Sequence, residues 1–348
     1  MARIVYGVMG DSRGHLTRSL AVAQAMEDHE FLFIGGGTVR ELAQEGYMVE
    51  EVPMAGTIRY NNRVDVAATV ANALAVFSRS RSVIKRVAEI IDRFDPHLIL
   101  TDYEFFTPRA ARRLGRPCIS LDHQHVLTHC QYTPPTGETL SRLITCALVR
   151  GLYSAADRFL IISFFHLPPR DPRVAEVFPP VVRRAVKDFR PTPGEHGVVY
   201  LSDKTFQALL PILERRKRKF IIYGLGERPP RANFEFKKTS TYSFLSDMAS
   251  CRYVISNAGH NLISEALYFG KPVLCFPRDF EYEQFLNAHF LSLNGFGAYF
   301  FARACHDKSL DQFESRLDAY EARVQQERFE GNAQIAARLF QLIEQGGH

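Results

Sequence analysis

The sequence predicts an α/β protein of two units, each built on a parallel sheet. Three observations carry that reading. Apolar, strand-like runs alternate with helical patterns from Ile4 onward, prolines then accumulate between Leu167 and Gly197, and the same alternation restarts at Val198. At 348 residues the chain is long enough to bury two separate cores.

In the first half, Ile4 to Met9 is apolar and is followed by a helical pattern at Leu16, Leu20, Ala23 and Met26. Glu30 to Ile34 forms the next strand, closed by the Gly35-Gly36-Gly37 turn, and Val49 to Pro53 a short third one. Near-continuous apolar strands separated by helices are the rhythm of a parallel sheet, because helices cover both of its faces. A long helical stretch spans Val64 to Phe94, with Val66, Val70, Leu74, Phe77, Ile84, Val87 and Ile91 as its core stripe. The strand Leu98 to Thr101, a helix Pro108 to Leu114, the strand Cys118 to Leu121, a helix near Thr139 to Ala155 and the strand Arg158 to Ser163 complete an amino-terminal domain over residues 1–167.

Pro168, Pro169, Pro172, Pro179, Pro180, Pro191 and Pro193 make residues 168–197 the expected connection, since proline lacks the amide donor that helix and strand interiors need. The second domain, residues 198–316, begins with the strand Val198 to Leu201, the helix Thr205 to Arg215 and the strands Phe220 to Tyr223 and Phe234 to Lys237. An amphipathic helical region from Leu317 to Ile343 occupies the terminal segment 317–348.

No apolar run approaches the roughly 18 residues of a membrane span. The apolar stretch at Ile4 has no cleavage site after it, so a cytoplasmic protein is expected. The six cysteines form no C-x-x-C pair and are expected to be buried, reduced thiols. The net charge of +5 is unevenly placed, with Arg215-Arg216-Lys217-Arg218-Lys219 in one block and Arg79, Arg81, Lys85 and Arg86 on another helix. Such blocks are solvated helix faces or attract acidic phospholipid at the inner face of a membrane. They lack the interleaved aromatics of a nucleic-acid platform, and no nucleic-acid partner is expected.

The most informative segment runs from Ser256 to Ala288. It reads Ser256-Asn257-Ala258-Gly259-His260-Asn261-Leu262-Ile263-Ser264-Glu265, then Gly270-Lys271-Pro272, Pro277, Glu283-Gln284 and Asn287-Ala288. A strand at Tyr253 to Ser256 delivers the chain into a small-residue turn, from which a helix starts near Asn261. Amides at a helix start have no intrahelical partner and the dipole is positive there, so Ala258 and Gly259 allow a diphosphate to approach. Glu265, one turn on, brings two acceptor oxygens to the same end, suited to a ribose diol.

This run resembles the donor-binding segment of GT-B glycosyltransferases, the class that includes the lipid II-forming N-acetylglucosaminyltransferase of family 28 and the plant-type glucosyltransferases. The resemblance implies two Rossmann-like domains facing one another across a cleft, a terminal helix crossing back onto the first, and catalysis without cofactor or metal. It assigns Ala258, Gly259, His260 and Asn261 to the diphosphate, Glu265 to the ribose, and Glu283 with Gln284 to the transferred sugar. Tyr242 to Met248 is similar to the segment that holds the base, which puts Phe244, Leu245 and Met248 there. Two departures stand out. Asn257 replaces a phosphate-contacting histidine of many plant-type members, and Leu201-Ser202-Asp203-Lys204-Thr205 replaces a glycine-rich loop. Ser202 or Lys204 can contact phosphate instead, and Gly224-Leu225-Gly226 adds flexibility near the base or sugar.

On the amino-terminal side, Gly7-Val8-Met9-Gly10-Asp11-Ser12-Arg13-Gly14-His15-Leu16-Thr17-Arg18 sets His15 at the carboxyl edge of a parallel sheet, where ligands of such folds collect. Gly14-His15 resembles the first-turn Gly-His of GT-B enzymes, in which the histidine serves as general base or in the acceptor site. Two other strand ends carry polar groups, Thr101-Asp102-Tyr103-Glu104 and Asp122-His123-Gln124-His125. They resemble segments of a smaller bacterial and archaeal group of GT-B enzymes. Asp102 orients His15 in this reading, and Gly14, Arg18, Glu104, Asp122, His123 and His125 line the acceptor side. A metal site from His123, His125 and His129 is the weaker alternative.

The expected reaction is transfer of a hexose or N-acetylhexosamine from a nucleotide diphosphate sugar, with UDP favoured, to a hydroxyl acceptor, free or lipid-linked. A nucleotide-sugar hydrolase or 2-epimerase, and a non-catalytic nucleotide-sugar-binding protein, stay open on the same scaffold.

Overall fold

The computed structural model describes residues 1–56, 59–60, 63–64 and 66–346. The first unit runs β1 (Arg3–Val8), α1 (Arg13–Ala25), β2 (Glu30–Gly35), β3 (Met48–Glu51), a small pair β4 (Arg59–Tyr60) and β5 (Arg63–Val64), α2 (Val66–Ser78) and α3 (Ser80–Phe94). It continues through β6 (Leu98–Asp102), α4 (Phe106–Arg113), β7 (Ile119–Asp122), α5 (Val126–His129), α6 (Thr139–Leu148), β8 (Arg158–Ile162) and β9 (Ala175–Phe178). Its sheet has the order β3-β2-β1-β6-β7-β8-β9, parallel throughout. Ile4, Tyr6 and Val8 pack into one core cluster and Val5 into another on the opposite face, which is why β1 is apolar at successive positions.

A short helix α7 (Arg184–Lys187) leads to the second unit: β10 (Gly197–Tyr200), α8 (Asp203–Glu214), β11 (Phe220–Tyr223), β12 (Phe234–Phe236), α9 (Thr241–Ala249), β13 (Tyr253–Ser256) and α10 (His260–Tyr268). It ends with β14 (Val273–Cys275), α11 (Tyr282–Leu293), β15 (Gly297–Tyr299), α12 (Asp307–Glu314), α13 (Leu317–Val324) and α14 (Asn332–Glu344). The sheet order β12-β11-β10-β13-β14-β15 is again fully parallel. In each sheet the order reverses beside its first strand, between β1 and β6 and between β10 and β13. A crevice opens at such a switch point, and ligands of open α/β sheets bind there.

Several expectations are corrected. The stretch from Val64 to Phe94 is two helices, interrupted at Arg79, whose backbone (φ −99°, ψ 6°) is not helical. The break resets the phase of the apolar stripe, so Val87 and Ile91 are buried while Leu74 is 67% exposed; the side chains of Val66 and Val70 lie outside the described residues. The helix expected up to Ala155 ends at Leu148 and widens into a π turn, Val149–Tyr153. The proline-rich segment is not structureless either, for β9 lies between its prolines as the edge strand of the first sheet. An edge strand tolerates flanking prolines because one side of its ladder is unpaired.

The terminal region is likewise two helices. Leu317 and Tyr320 of α13 are buried in a core cluster of the second sheet, whereas Ile335, Ala336, Leu339 and Leu342 of α14 are buried with β1 and α1 of the first. Burying Ile335, Leu339 and Leu342 contributes on the order of 5 kcal/mol before the entropy of ordering is subtracted. The two connections cross in contact: Gly331 donates to Pro180 O at 2.7 Å, and Asn332 bonds both the amide and the carbonyl of Val182, at 2.9 and 2.8 Å. A Cβ on Gly331 would sit 2.5 Å from Pro179 O, so only glycine fits that crossing. Phe165 of the first unit stacks on Phe290 of the second, with ring centroids 4.5 Å apart.

Candidate active site

The β1–α1 turn is built from small residues because neighbouring backbone leaves no room. A Cβ on Gly7 would meet Thr107 and one on Gly10 would meet Gly36 O, both inside 3 Å. This tight turn starts α1 with His15 in its first turn, beside Asp102 at the end of β6. His15 Nδ1 lies 2.7 Å from Asp102 Oδ1, and Arg18 Nε donates to Asp102 Oδ2 at 2.8 Å. Burial raises the Asp102 pKa, but Arg18 and then His15 outweigh it and hold the carboxyl below its ordinary value. Asp102 is therefore a carboxylate, and it can only accept. His15 Nδ1 donates to it, which in the neutral ring leaves Nε2 as the acceptor, and the 2.9 Å approach of Arg18 to Nδ1 is a contact without a shared proton. The His15 ring lies parallel to Tyr103, at 5.9 Å, and Tyr103 in turn stacks on Tyr153 at 3.9 Å.

The other expected acceptor-side residues divide. Arg18 is 3% exposed and acts from beneath His15. The Gly14 carbonyl accepts a bond from Asn261 across the interface. Glu104 accepts from the amides of Phe106 and Thr107 at 2.8 and 2.6 Å, capping the start of α4. Burial raises its pKa.

Asp122 and His125 do not present themselves to an acceptor, because their polar atoms are consumed internally. Asp122 accepts from the His125 amide at 2.9 Å, from His125 Nδ1 at 2.6 Å and from Ser120 Oγ at 2.5 Å. His123 is also fully buried, with Nδ1 2.8 Å from Ile162 O and Nε2 2.7 Å from Asn287 Oδ1. His129 Nδ1 pairs with Thr128 Oγ1 at 2.9 Å. The three imidazoles do not converge, and among the described residues no group of three or more His, Cys, Asp or Glu is placed to hold a metal.

In the second unit, β13 leads into Asn257, whose side chain accepts from the Ser202 amide at 2.6 Å and donates to Phe276 O at 2.8 Å. That ties together the turns after β10, β13 and β14. Ser202 caps α8, its Oγ accepting from the Thr205 amide at 3.4 Å. Ala258 adopts φ +63°, an uncommon conformation for a residue with a Cβ. Gly259 then caps α10, and a Cβ built on it meets nothing within 4 Å, so the space above this helix start is open.

His260 follows, 4% exposed, with its ring 3.8 Å from that of His123; its Nε2 is buried with no hydrogen-bond partner among the described residues. Burial, then His123, pushes its pKa well down, leaving it neutral. Asn261 Nδ2 donates to Gly14 O and to Thr17 Oγ1 (3.0 Å), joining the first turns of α10 and α1.

Glu265 is buried and engaged. Arg183, from the connecting segment, meets it bidentately, Nε to Oε1 at 2.9 Å and Nη2 to Oε2 at 3.2 Å. Glu283 Oε2 accepts from Gln124 Nε2 at 3.1 Å, while Gln124 Oε1 accepts from Arg18 at 3.2 Å, so one side chain links the His15 cluster to the second unit. Gln284 Oε1 accepts from the Arg278 amide at 3.2 Å. Leu245 and Met248 are fully buried, and Phe244 packs edge-on to Tyr223 at 5.0 Å, so the Phe244-to-Met248 segment offers a ligand mainly backbone. Gly224 has φ +86°, and a Cβ there would stand 3.4 Å from the Tyr200 ring. Arg183, Gln124 and Asn287 were not singled out as site residues in the sequence. Their roles arise from contacts across the units, and only the Gln124 and Asn287 motif neighbours hinted at them.

Beside this cluster, the ends of β1 and β2 and the helix α2 border a narrow recess, partly open to solvent. Met9, Met54, Val76, Phe77 and Phe105 line it with Tyr153.

The model of glycosyl transferase family 1 matches residues 2–318. A curated relative from Methanosarcina acetivorans, named an uncharacterized glycosyltransferase, is 22% identical over 328 residues, covering 85% of this chain and 84% of that one. Among solved structures, Phytolacca americana UGT2 complexed with UDP-2fluoro-glucose and pterostilbene has a TM-score of 0.69 at 13% identity, covering 99% of both chains. MurG of Acinetobacter baumannii has a TM-score of 0.63 at 14% identity, covering 99% of this chain and 100% of that one. At such identities the structural likeness is one of fold, GT-B. With its two facing parallel sheets and a family match over nearly its whole length, the chain belongs to glycosyl transferase family 1 and is a glycosyltransferase.

Proposed function

We propose that the enzyme moves a hexose or N-acetylhexosamine from a nucleotide diphosphate sugar, UDP-linked for preference, to a hydroxyl acceptor, without a metal. One observation carries the reading: Asn261 joins the first turns of α1 and α10, so two helix starts meet beside His15, over the open space at Gly259. Two positive dipole ends and unpaired amides favour an anion. Glu265 is proposed for the ribose, sharing its carboxylate with Arg183, and Glu283 with Gln284 for the sugar.

In this mechanism His15 Nε2 takes the proton of the acceptor hydroxyl as its oxygen attacks the anomeric carbon. The bond from that carbon to the diphosphate breaks, and the negative charge leaves onto the helix starts. Asp102 holds the tautomer and stabilises the imidazolium that forms. Apolar walls in the recess beside Tyr153 favour an acceptor with an apolar body, a lipid-linked one included.

A thermal-shift panel of UDP-, GDP-, dTDP- and CMP-sugars against wild type and Glu265→Ala tests the donor half. Stabilisation of the wild type by one class, weakened in the variant, is expected. If no nucleotide raises the melting temperature, the donor assignment is wrong.

A further inference from the structure

Helix α6 leaves an apolar face uncovered. Leu140, Leu143, Ile144 and Leu148 are 62%, 56%, 52% and 49% exposed, and their spacing places them on one side of the helix. The opposite side is anchored, with Ser141 and Cys146 buried. Large apolar side chains do occur singly on protein surfaces, but four on a ten-residue helix form a continuous stripe.

Basic residues outnumber acids in the segment that carries the stripe. Glu138 is the sole acid from residue 131 through 156, where Arg142 and Arg150 also lie. Arg109 of α4 donates to Leu152 O at 2.9 Å, which brings the exposed Arg112 and Arg113, one turn on, to the same end. The block Arg215 to Lys219 differs. There Arg215 pairs with Asp307 at 2.6 Å, Arg216 with Asp311, Arg218 with Glu314 at 3.3 Å and Lys219 with Glu235 at 2.5 Å, so four of its five charges are paired within the fold.

We propose that α6 is an interfacial anchor: its leucine and isoleucine face enters the headgroup boundary of an anionic phospholipid bilayer, with Arg142, Arg150, Arg112 and Arg113 at the phosphates. An in-plane helix with an apolar face and flanking arginines binds by buried area plus attraction to anionic lipid. The chain leaving α6 runs through the π turn to Tyr153, which lines the apolar recess, so the docked surface adjoins the acceptor side. The anchor extends the lipid-linked form of the acceptor proposed above, and its test needs no transfer activity.

The chain has no tryptophan, so Ile144→Trp supplies a single fluorescent reporter. Vesicles of phosphatidylcholine, alone or mixed equally with phosphatidylglycerol, are added to this variant and to Met48→Trp, a control on the far edge strand of the first sheet. The anchor requires a blue shift for Ile144→Trp with the anionic vesicles and none for Met48→Trp. It also requires that the wild type float with anionic vesicles, and that Leu143→Ser/Ile144→Ser lower its partition coefficient by at least about tenfold. The double variant changes exposed positions, so its donor-induced thermal shift should match the wild type's, which separates a failed anchor from a failed donor site. Absence of flotation, equal binding to neutral vesicles, or a blue shift that grows with protein concentration without vesicles overturns the proposal. The last result would mark the face as a contact with a second copy.

Discussion

Arg183 and Glu265 form a bidentate ion pair at 2.9 and 3.2 Å, reaching from the connection between the two sheets into the helix that follows β13. With side-chain exposures of 14% and 9%, the pair is nearly dry, and either partner alone would be left as a poorly solvated charge. The carboxylate proposed for the ribose is thus held by the chain that joins the domains.

Arg183→Ala and Glu265→Ala should each destabilise the protein by about 1–3 kcal/mol, with a coupling of at least about 1 kcal/mol in the double-mutant cycle. Urea unfolding of the four proteins measures it. The nucleotide response separates the roles: Glu265→Ala should lose it, and Arg183→Ala should keep it. Loss in both variants would make the pair structural and remove Glu265 from the donor site.

Gly259→Val probes the helix start without disturbing the fold. The φ of Gly259 is −68°, accessible to any residue, and the space where a side chain would project is open. Unfolding free energy should stay within about 0.5 kcal/mol of wild type. Donor affinity, read by titration of the nucleotide sugar, should fall by more than about tenfold, because the new methyls occupy the place assigned to the diphosphate. Unchanged affinity would locate the donor elsewhere.

Asp102→Asn should lower transfer by roughly 10²–10⁴-fold, since a neutral amide no longer fixes the His15 tautomer or stabilises its imidazolium. His15→Gln should lose a comparable factor while retaining the donor-induced thermal shift. Radiolabel transfer with saturating donor reports the rate. A His15→Gln enzyme as active as wild type would remove His15 from the role of base.

Stability should fall as the pH drops below about 6.5. Burial, then His125, lowers the His129 pKa to about 4, and burial also lowers those of His123 and His260. Each folded pKa lies below its unfolded value, so the native state binds fewer protons. The stabilisation is fully present above the unfolded pKa and is lost as the pH falls through the folded one. His129→Phe preserves stacking on Phe159 and removes one titrating ring, and the slope of urea midpoint against pH should become shallower. An unchanged slope would show that His129 does not contribute.

By itself the sequence determined the class of the fold and the position of its two ligand-bearing edges. Apolar runs such as Ile4 to Met9 and Tyr253 to Ser256, each followed by small residues and a helix, can be satisfied only by strands covered on both faces. Those are local signals, set by periodicity and turn chemistry. The tertiary structure decided which polar groups remain free. Nothing local distinguishes Asp102, which faces His15, from Asp122, which is closed off by His125 and Ser120, since both end parallel strands. Nor could the prolines around β9 reveal that an edge position would accept a strand there, or Arg183 that its partner lies 82 residues on. Hydrogen bonds and burial between distant segments are settled only when the two sheets meet, because the cost of an unpaired buried charge depends on what the rest of the chain brings beside it.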